Sequence, residues 1–482
     1  MTCLRSIVGR RLGPLAAPLS IGLVAAMIVG CSLKNPPDTQ AVKEQALPQL
    51  KVPEQWAVRP ATGAVLDNWL ATFNDEALAK AVEEALLYNA DLRVGAARVE
   101  QAQLHARLAG ARLYPSVDLL ARGGGKMSGD GSGIQGGVLT ASWELDLWGR
   151  VRYGRAASAA QAMSAEADYE YARQSIAALV AKSWFLAIEA ALQVEAARET
   201  IRANEQLVSL ADQRFQVGIG DQSEVAIARA DIGTYRDALR QLELGRTEAL
   251  RALELLLGRY PAAALVTTPQ LPGFPGDVPA GLPSELLERR PDVIAAERRV
   301  AAAFNRIQEA KAARLPTISL TAGISTISSE LFVLKNRDNP VWNLGASLVA
   351  PIYKGGALQT QVEIRTAEQK QAVAEYAAVG LRAFNEVEGA LAAEIAARDR
   401  EQILIQTLSD NEQALGLVQT QFQVGSTDLR FVEQRQLALT STRSALIRVR
   451  AEQRVQRVNL HLALGGSFSP RPAPPTTPPP GK

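Results

Sequence analysis

A chain of 482 residues that is 47% apolar but only 5% aromatic draws its apolar content from Ala, Leu and Val, which favours long packed helices over two to four compact globular domains. Its 52 Lys plus Arg against 50 Asp plus Glu leave no basic footprint for nucleic acid and no pull toward acidic substrates. Two cysteines, Cys3 and Cys31, and two histidines, His105 and His461, are too few for a cysteine-rich zinc site or a disulfide framework.

The first segment, 1–30, has a basic start (Arg5, Arg10, Arg11) and an apolar run from Leu15 to Val29, the pattern of an export signal. Its end, Ile28-Val29-Gly30-Cys31, resembles the bacterial lipobox, in which the cysteine after the cut receives lipid. Covalent lipid at Cys31 is therefore expected, with no other cofactor, and Ser32 in the next position favours passage to the outer membrane. Residues 31–68 are rich in proline and polar side chains without a sustained period, so they read as an extended leader.

Helix signals begin at Asn74-Asp75-Glu76 and run to about Leu113, where Pro115 ends them. A strand pair follows. Val117, Leu119 and Ala121 alternate with Asp118, Leu120 and Arg122; beyond a loop spanning 123–137, Leu139, Ala141, Trp143, Leu145 and Leu147 alternate with Thr140, Ser142, Glu144 and Asp146. Within that loop, Gly123-Gly124-Gly125-Lys126 lacks the earlier glycine and following hydroxyl of a phosphate loop, since Leu120 and Met127 stand there.

From Arg150 to Gln216 there is no proline, and apolar residues keep to one helical face, predicting up to about 100 Å of helix. A break near Gly154 into two shorter helices is the alternative. A stripe of that length can bury itself only along other helices in a coiled-coil-like bundle. Phe215-Gln216-Val217-Gly218 closes the run, with Gly218 suited to the left-handed position after a helix end. Asp221 with Glu224 reads as a capping box opening a return helix that runs to about Leu257.

The plan then repeats. Asp91, Arg98, Val99 and Pro115 fall on Asp292, Arg299, Val300 and Pro316 at a shift of 201, and the Phe-Gln-Val-Gly turn recurs as Phe422-Gln423-Val424-Gly425 at a shift of 207. The extra residues are expected in one connection, the loop of the second strand pair. That pair sets Ile318, Leu320, Ala322 and Ile324 against Thr317, Ser319, Thr321 and Ser325, then Leu344, Ala346 and Leu348 against Asn343, Gly345 and Ser347. At the second tip Ser426, Thr427 and Asp428 all could cap the next helix, while Phe431 stands where a capping-box glutamate would follow Asp428. The domains are thus a first repeat at 69–260, a connector at 261–284, a second repeat at 285–466 and a Pro-rich tail at 467–482 expected to be disordered.

Alternating strands near bilayer-crossing length, in an exported chain, point to an outer-membrane barrel. Four strands cannot close one, because backbone groups in lipid must all be paired, so several chains must share it. A helical adaptor would explain the long helices but not the strand pairs. No Ser-His-Asp, Cys-His or metal-ligand spacing suggests an enzyme, and His105 reads as a helix-surface or packing residue.

Several motifs together carry a resemblance. Trp143-Glu144-Leu145-Asp146-Leu147-Trp148-Gly149-Arg150, the connector from Leu282-Pro283-Ser284 through Arg289-Arg290-Pro291-Asp292, Ala350-Pro351-Ile352-Tyr353-Lys354-Gly355-Gly356 and both Val-Gly turns resemble the TolC-like outer-membrane efflux factors, in their NodT-type lipoprotein branch. The resemblance implies a mixed α/β membrane protein: a homotrimer with a shared twelve-stranded β-barrel, four strands per chain, continued by an α-helical barrel into the periplasm. It implies a passive exit duct of a tripartite efflux system of the RND kind, lipid-anchored in the outer membrane. Val217, Gly218, Gly220, Asp221, Val424 and Gly425 would form the periplasmic tip that docks an adaptor belonging to an inner-membrane pump. Asp428 and Glu433 are the candidate residues of a periplasmic constriction. Here Phe431-Val432-Glu433-Gln434 departs from the family's usual pattern, which commonly ends in Asp.

Overall fold

The computed structural model describes residues 33–58, 63, 65, 67–122, 134–329 and 341–468. The export signal, Cys31, the loop holding Gly123-Gly124-Gly125-Lys126 and the tail from 469 onward lie outside the described residues. Among the described residues the elements run α1 (Thr39–Ala46), α2 (Glu76–Tyr88), α3 (Ala90–Ala111), β1 (Ser116–Arg122), β2 (Ile134–Leu145), α4 (Arg150–Gln216), α5 (Gln222–Leu256), α6 (Leu286–Arg289), α7 (Pro291–Ala312), β3 (Thr317–Ser329), β4 (Val341–Val349), α8 (Ala357–Gln423) and α9 (Leu429–Ala463).

The duplication is visible in the element lengths. Helices α4 and α8 both have 67 residues and α5 and α9 both have 35, while α3 and α7 both have 22. Helix α4 is unbroken through Gly154, so the alternative of two shorter helices fails. The shift grows in two places rather than one. It is 201 at the strand starts Ser116 and Thr317, 204 at the strand ends Leu145 and Val349, and 207 at the helix starts Arg150 and Ala357. Half of the six extra residues therefore sit between β4 and α8, not in the second hairpin.

The predicted single helix up to Leu113 is two helices. Asn89, with ψ 128, leaves the helical region, its Oδ1 accepts from the N–H groups of Asp91 and Leu92, and its amide donates to Leu256 O at 3.0 Å. Asparagine does this readily because its side chain satisfies the free N–H groups of a new helix start. Arg290, at the equivalent position of the second repeat, has ψ 126 and donates to Ala463 O at 3.1 Å. Both repeats thus break their helix at the same point and tie it to the end of the return helix.

The chain divides into two compact units, with the division falling inside α3, α4, α7 and α8. One unit takes in Gln101–Ser164 and Glu297–Glu375 with the described residues up to Pro48. It carries a four-stranded antiparallel sheet in the order β1-β2-β3-β4. The register aligns apolar side chains into cross-strand rows: Leu119-Leu139-Ile324-Trp342, Val117-Ala141-Ala322-Leu344, Trp143-Leu320-Ala346 and Leu145-Ile318-Leu348. The opposite face carries Asp118-Thr140-Gly323-Asn343, Ser116-Ser142-Thr321-Gly345 and Glu144-Ser319-Ser347, with Leu120, Val138, Val341 and Val349 among its apolar exceptions. Strand β2 begins earlier than expected, at Ile134, and ends before Leu147.

The other unit holds Gln49–Glu100, Ala165–Ala296 and Tyr376–Lys482. Its largest core gathers Trp69, Phe73, Leu78, Trp184, Phe185, Ile188, Leu253, Leu257, Val458 and Phe468. Helix α4 contains an 18-residue window apolar enough, by length and composition, to cross a membrane. Packing accounts for much of that apolarity, since Ala177, Val180, Ala181, Trp184, Phe185 and Ile188 are all buried in this core. Asp75 caps α2 by accepting from Leu78 N and also takes the indole N–H of Trp184 at 3.0 Å, which fixes α2 against α4.

Several buried charged side chains of this unit are paired, which offsets the cost of burying charge. Arg457, fully buried, makes a forked pair with Glu394 at 2.9 and 2.7 Å and donates to Gly276 O at 2.6 Å. Arg290 pairs with Asp292 and Glu386, and Arg289 reaches Asp67 at 2.7 Å. The Arg-Arg-Pro-Asp motif of the connector is therefore a clamp on the C-terminal end of α9.

Candidate functional site

Two regions hold the residues singled out from sequence. The first is the far end of the helical hairpins. Gly218 and Gly425 have φ of +79° and +80°, as expected for a left-handed helix stop. Ile219 N donates to Arg214 O and Ser426 N to Gln421 O, at 3.0 and 2.9 Å, which is the six-to-one bond of a Schellman motif at both tips. Gly220 is required for another reason: a Cβ there would stand 2.9 Å from Phe215 N and 3.0 Å from Arg214 C, both backbone atoms. Val217 and Val424, 71% and 75% exposed, point away from the core.

The capping calls divide. Asp221 caps α5 through Ser223, accepting from its N–H at 3.0 Å and its hydroxyl at 2.9 Å, and these bonds hold its carboxyl below the ordinary range. Glu224 does not return the bond, because its Oε2 is buried without a partner, so the capping box is not closed. At the second tip Asp428 occupies the cap position of α9 without a side-chain cap bond, and pairs instead with Arg430 at 3.3 Å.

Sequence reasoning missed the residue that joins the two tips. Arg214, 9% exposed, donates to Phe422 O at 2.6 Å and to Ile219 O at 3.3 Å, and its guanidinium lies 4.4 Å from the centre of the Phe422 ring. Phe422 is fully buried with Leu207, Ala211, Val225, Ala228, Leu415, Leu429, Val432 and Leu439. Its repeat partner Phe215 is 43% exposed, so the two copies of Phe-Gln-Val-Gly share a backbone and not a packing role. An open hollow of about 490 Å³ separates the tips, with Arg214, Asp221, Glu224, Asp428 and Phe431 on its walls.

The two candidate constriction residues are placed differently. Asp428 is exposed on the hollow, whereas Glu433 is half-buried among carboxylates of α5. Burial, the charge of Asp231 and a hydrogen bond with it, and the charge of Glu224 push the Glu433 carboxyl up to about 7. Its Oε1 is buried without a partner.

The second region is the sheet. Leu344 is 87% exposed, and Leu119, Trp342 and Leu348 are also open, so the apolar rows lie uncovered in a single chain. A contiguous apolar face of that kind marks a membrane or protein interface. The segment Trp143 to Arg150 closes it at the helix side. Trp143 donates its indole N–H to Leu113 O at 2.9 Å and Trp148 donates to Pro316 O at 2.6 Å; Asp146 caps α4 by accepting from Val151 N and Arg152 N. Gly149 has φ +76°, and a Cβ there would meet Leu33 at 2.8 Å.

An apolar sheet face joined to paired 67-residue helices fits one known family. The model of the outer membrane efflux protein family matches residues 81–259 and 282–466. The chain belongs to that family. Cation efflux system protein CusC of Escherichia coli (strain K12) is 30% identical over 452 residues, covering 92% of this chain and 98% of CusC. Antibiotic efflux pump outer membrane protein ArpC of Pseudomonas putida is 30% identical over 474 residues, covering 93% of this chain and 95% of ArpC. A crystal structure of CusC aligns with a TM-score of 0.77 at 29% identity, covering 91% of this chain and 100% of the other. As an outer-membrane efflux protein, the chain crosses the bilayer by its sheet, and its long helices extend into the periplasm.

Proposed function

We propose that three copies of this efflux protein close a twelve-stranded barrel and form the exit duct of a tripartite pump. The observation that carries this reading is a four-stranded sheet with one apolar face and two unpaired edges, β1 and β4, which lipid would leave unsatisfied in a lone chain. The mostly polar face then lines the pore. The exposed valines and the hollow between the hairpin tips dock a periplasmic adaptor, which links the duct to an inner-membrane pump of the RND kind. Asp428 and Glu433 belong to the constriction at this mouth. Cys31 carries the lipid that anchors the mature chain. Relatives named for cation and antibiotic efflux share this architecture, so the cargo is chosen by the pump and not by the duct.

The test is a Gly218→Val, Gly425→Val double variant. Each valine must adopt a left-handed conformation at a cost of roughly 1 to 2 kcal/mol or more, confined to the tip. Outer-membrane trimers should still form, while cross-linking to the adaptor and efflux are lost. A variant that cross-links and exports like the parent removes the tip from the mechanism, and a parent that migrates as a monomer in native mass spectrometry removes the shared barrel.

A further inference from the structure

Every strand end that meets a helix carries cations. Arg112 precedes β1, Arg150 and Arg152 follow β2, Lys311 and Arg314 precede β3, and Lys354 follows β4. Over 105–114, 144–155, 306–314 and 350–357 there are nine Lys or Arg against three carboxylates. The whole chain is nearly balanced at 52 against 50, so this junction holds an excess that the rest of the molecule offsets.

Much of that charge is free. Arg150 is taken by Glu144 in a forked pair and Arg306 by Glu309 at 2.8 Å. Among the described residues, Arg107, Arg112, Arg155, Lys311 and Arg314 make no ion pair. A cavity of about 230 Å³ opens here, lined by His105 and Arg112 of α3, Arg150 and Ser158 of α4, and Arg306 and Glu309 of α7. Gly154 keeps room for the Glu309 carboxylate, because a Cβ there would stand 2.8 Å from its Oε1. Arg155 lies along α3, with its Nε 3.6 Å from where a Cβ of Gly110 would be.

Two further observations give the ligand its character. Exposed aromatic side chains, Tyr114, Trp148 and Tyr353, stand at the same junction, next to the apolar rows of the sheet, as side chains do at a membrane interface. The N-terminal segment is also pinned there: Lys34 N donates to the Tyr153 hydroxyl at 2.7 Å, and Leu33 packs against Gly149. Cys31 is only two residues before Leu33. A lipid carried on that cysteine would enter the bilayer at this level.

We propose that this junction binds the phosphate of anionic phospholipids in the periplasm-facing leaflet, with Arg112 and Arg155 as the uncompensated cations and the cavity as the seat of the headgroup. The acyl chains run along the apolar rows of the sheet. A free phosphate would meet the charge alone, whereas a lipid also meets the aromatic collar and the apolar face. The site fixes the depth of the barrel independently of the anchor at Cys31.

Native mass spectrometry of the full chain in detergent, titrated with phosphatidylglycerol or phosphatidylcholine, tests this. The parent should bind phosphatidylglycerol more tightly than phosphatidylcholine. Each cation near a lipid surface is worth about fivefold in affinity, so Arg112→Gln with Arg155→Gln should weaken phosphatidylglycerol roughly 25-fold. Arg112→Lys with Arg155→Lys should retain it. A control that removes two cations of α5, Arg229→Gln with Arg236→Gln, should leave binding unchanged. Equal binding of the two lipids by the parent, or undiminished phosphatidylglycerol binding by the glutamine variant, overturns the proposal. Displacement of the lipid by millimolar inorganic phosphate overturns it too, in favour of a free-anion site.

Discussion

Replacing Arg214 by Met should loosen the tip without touching the sheet. The substitution keeps an unbranched side chain in a helix that favours it, and removes three interactions. The 2.6 Å bond to Phe422 O involves a charged donor and is worth about 2 kcal/mol, the 3.3 Å bond to Ile219 O about 0.5, and the stacking on Phe422 about 1. Because the tip borders an open hollow, water recovers part of the loss at the Ile219 carbonyl. The net is about 3 kcal/mol, which speeds amide exchange through local opening by about a hundredfold. Hydrogen exchange read by mass spectrometry should show this over 213–226 and 420–432, with α2 and the strands unchanged. Exchange at the tip equal to the parent's would mean that the buried cluster around Phe422 holds the hairpins together unaided.

Two pH predictions follow from carboxyl and imidazole burial of opposite sense. The folded Glu433 carboxyl at about 7 lies above its ordinary 4.5, so its contribution to tip stability is present below 4.5 and lost as pH rises through 7. Protection of 220–240, corrected for intrinsic exchange, should therefore fall on going from acid to neutral pH, and Glu433→Gln should flatten the fall; an identical fall in the variant would assign it to another group. His461 is the reverse case: burial and the charge of Arg457 push it down from 6.5 to about 3, both ring nitrogens lack partners, and the ring stacks on Trp69 at 5.7 Å. An unfolded chain takes up that proton below 6.5, so stability drops as pH falls from 6.5 toward 3, by about 1.4 kcal/mol per unit. His461→Phe keeps the stack and should give a shallower dependence of Tm on pH over that range, whereas an unchanged slope would count against the burial argument.

The strands were legible because alternation states the face of each side chain directly, and a shared barrel needs one face apolar throughout. Length alone gave the 67-residue helix, since no proline or cap interrupts it. The break at Asn89 was harder to see, because a helix continues through asparagine as often as it stops there; the signal was its alignment, at a shift of 201, with Arg290 one residue before a proline. The buried arginines were not legible at all. Arg214 meets Phe422, Arg290 meets Glu386 and Arg457 meets Glu394 across separations that no local pattern encodes. Asp428 was found from the family's frequent acidic position, and Glu433 only as a candidate within the stretch that departs from the family's pattern; the coupling of Glu433 to Asp231 depends on how α5 packs against α9 and so had no trace in the sequence.

Duplication gave the two hairpins equal helices and equal glycine stops, yet the side chains at the tip have diverged in a complementary way. Position 214 is Arg and its repeat equivalent, 421, is Gln; position 215 is an exposed Phe and 422 a buried one. The first hairpin thus supplies the arm and the second supplies the ring and carbonyl that receive it. A single cross-hairpin link is easier to release than a symmetric pair. Opening one hairpin relative to the other then requires breaking one hydrogen bond and one ring contact, together with the buried packing around Phe422. The walls of the hollow carry Asp221, Glu224 and Asp428 against the single Arg214, and the half-buried Glu433 of α9 is pushed up to about 7, so the contact between the hairpins is expected to weaken as pH rises from acid toward neutral.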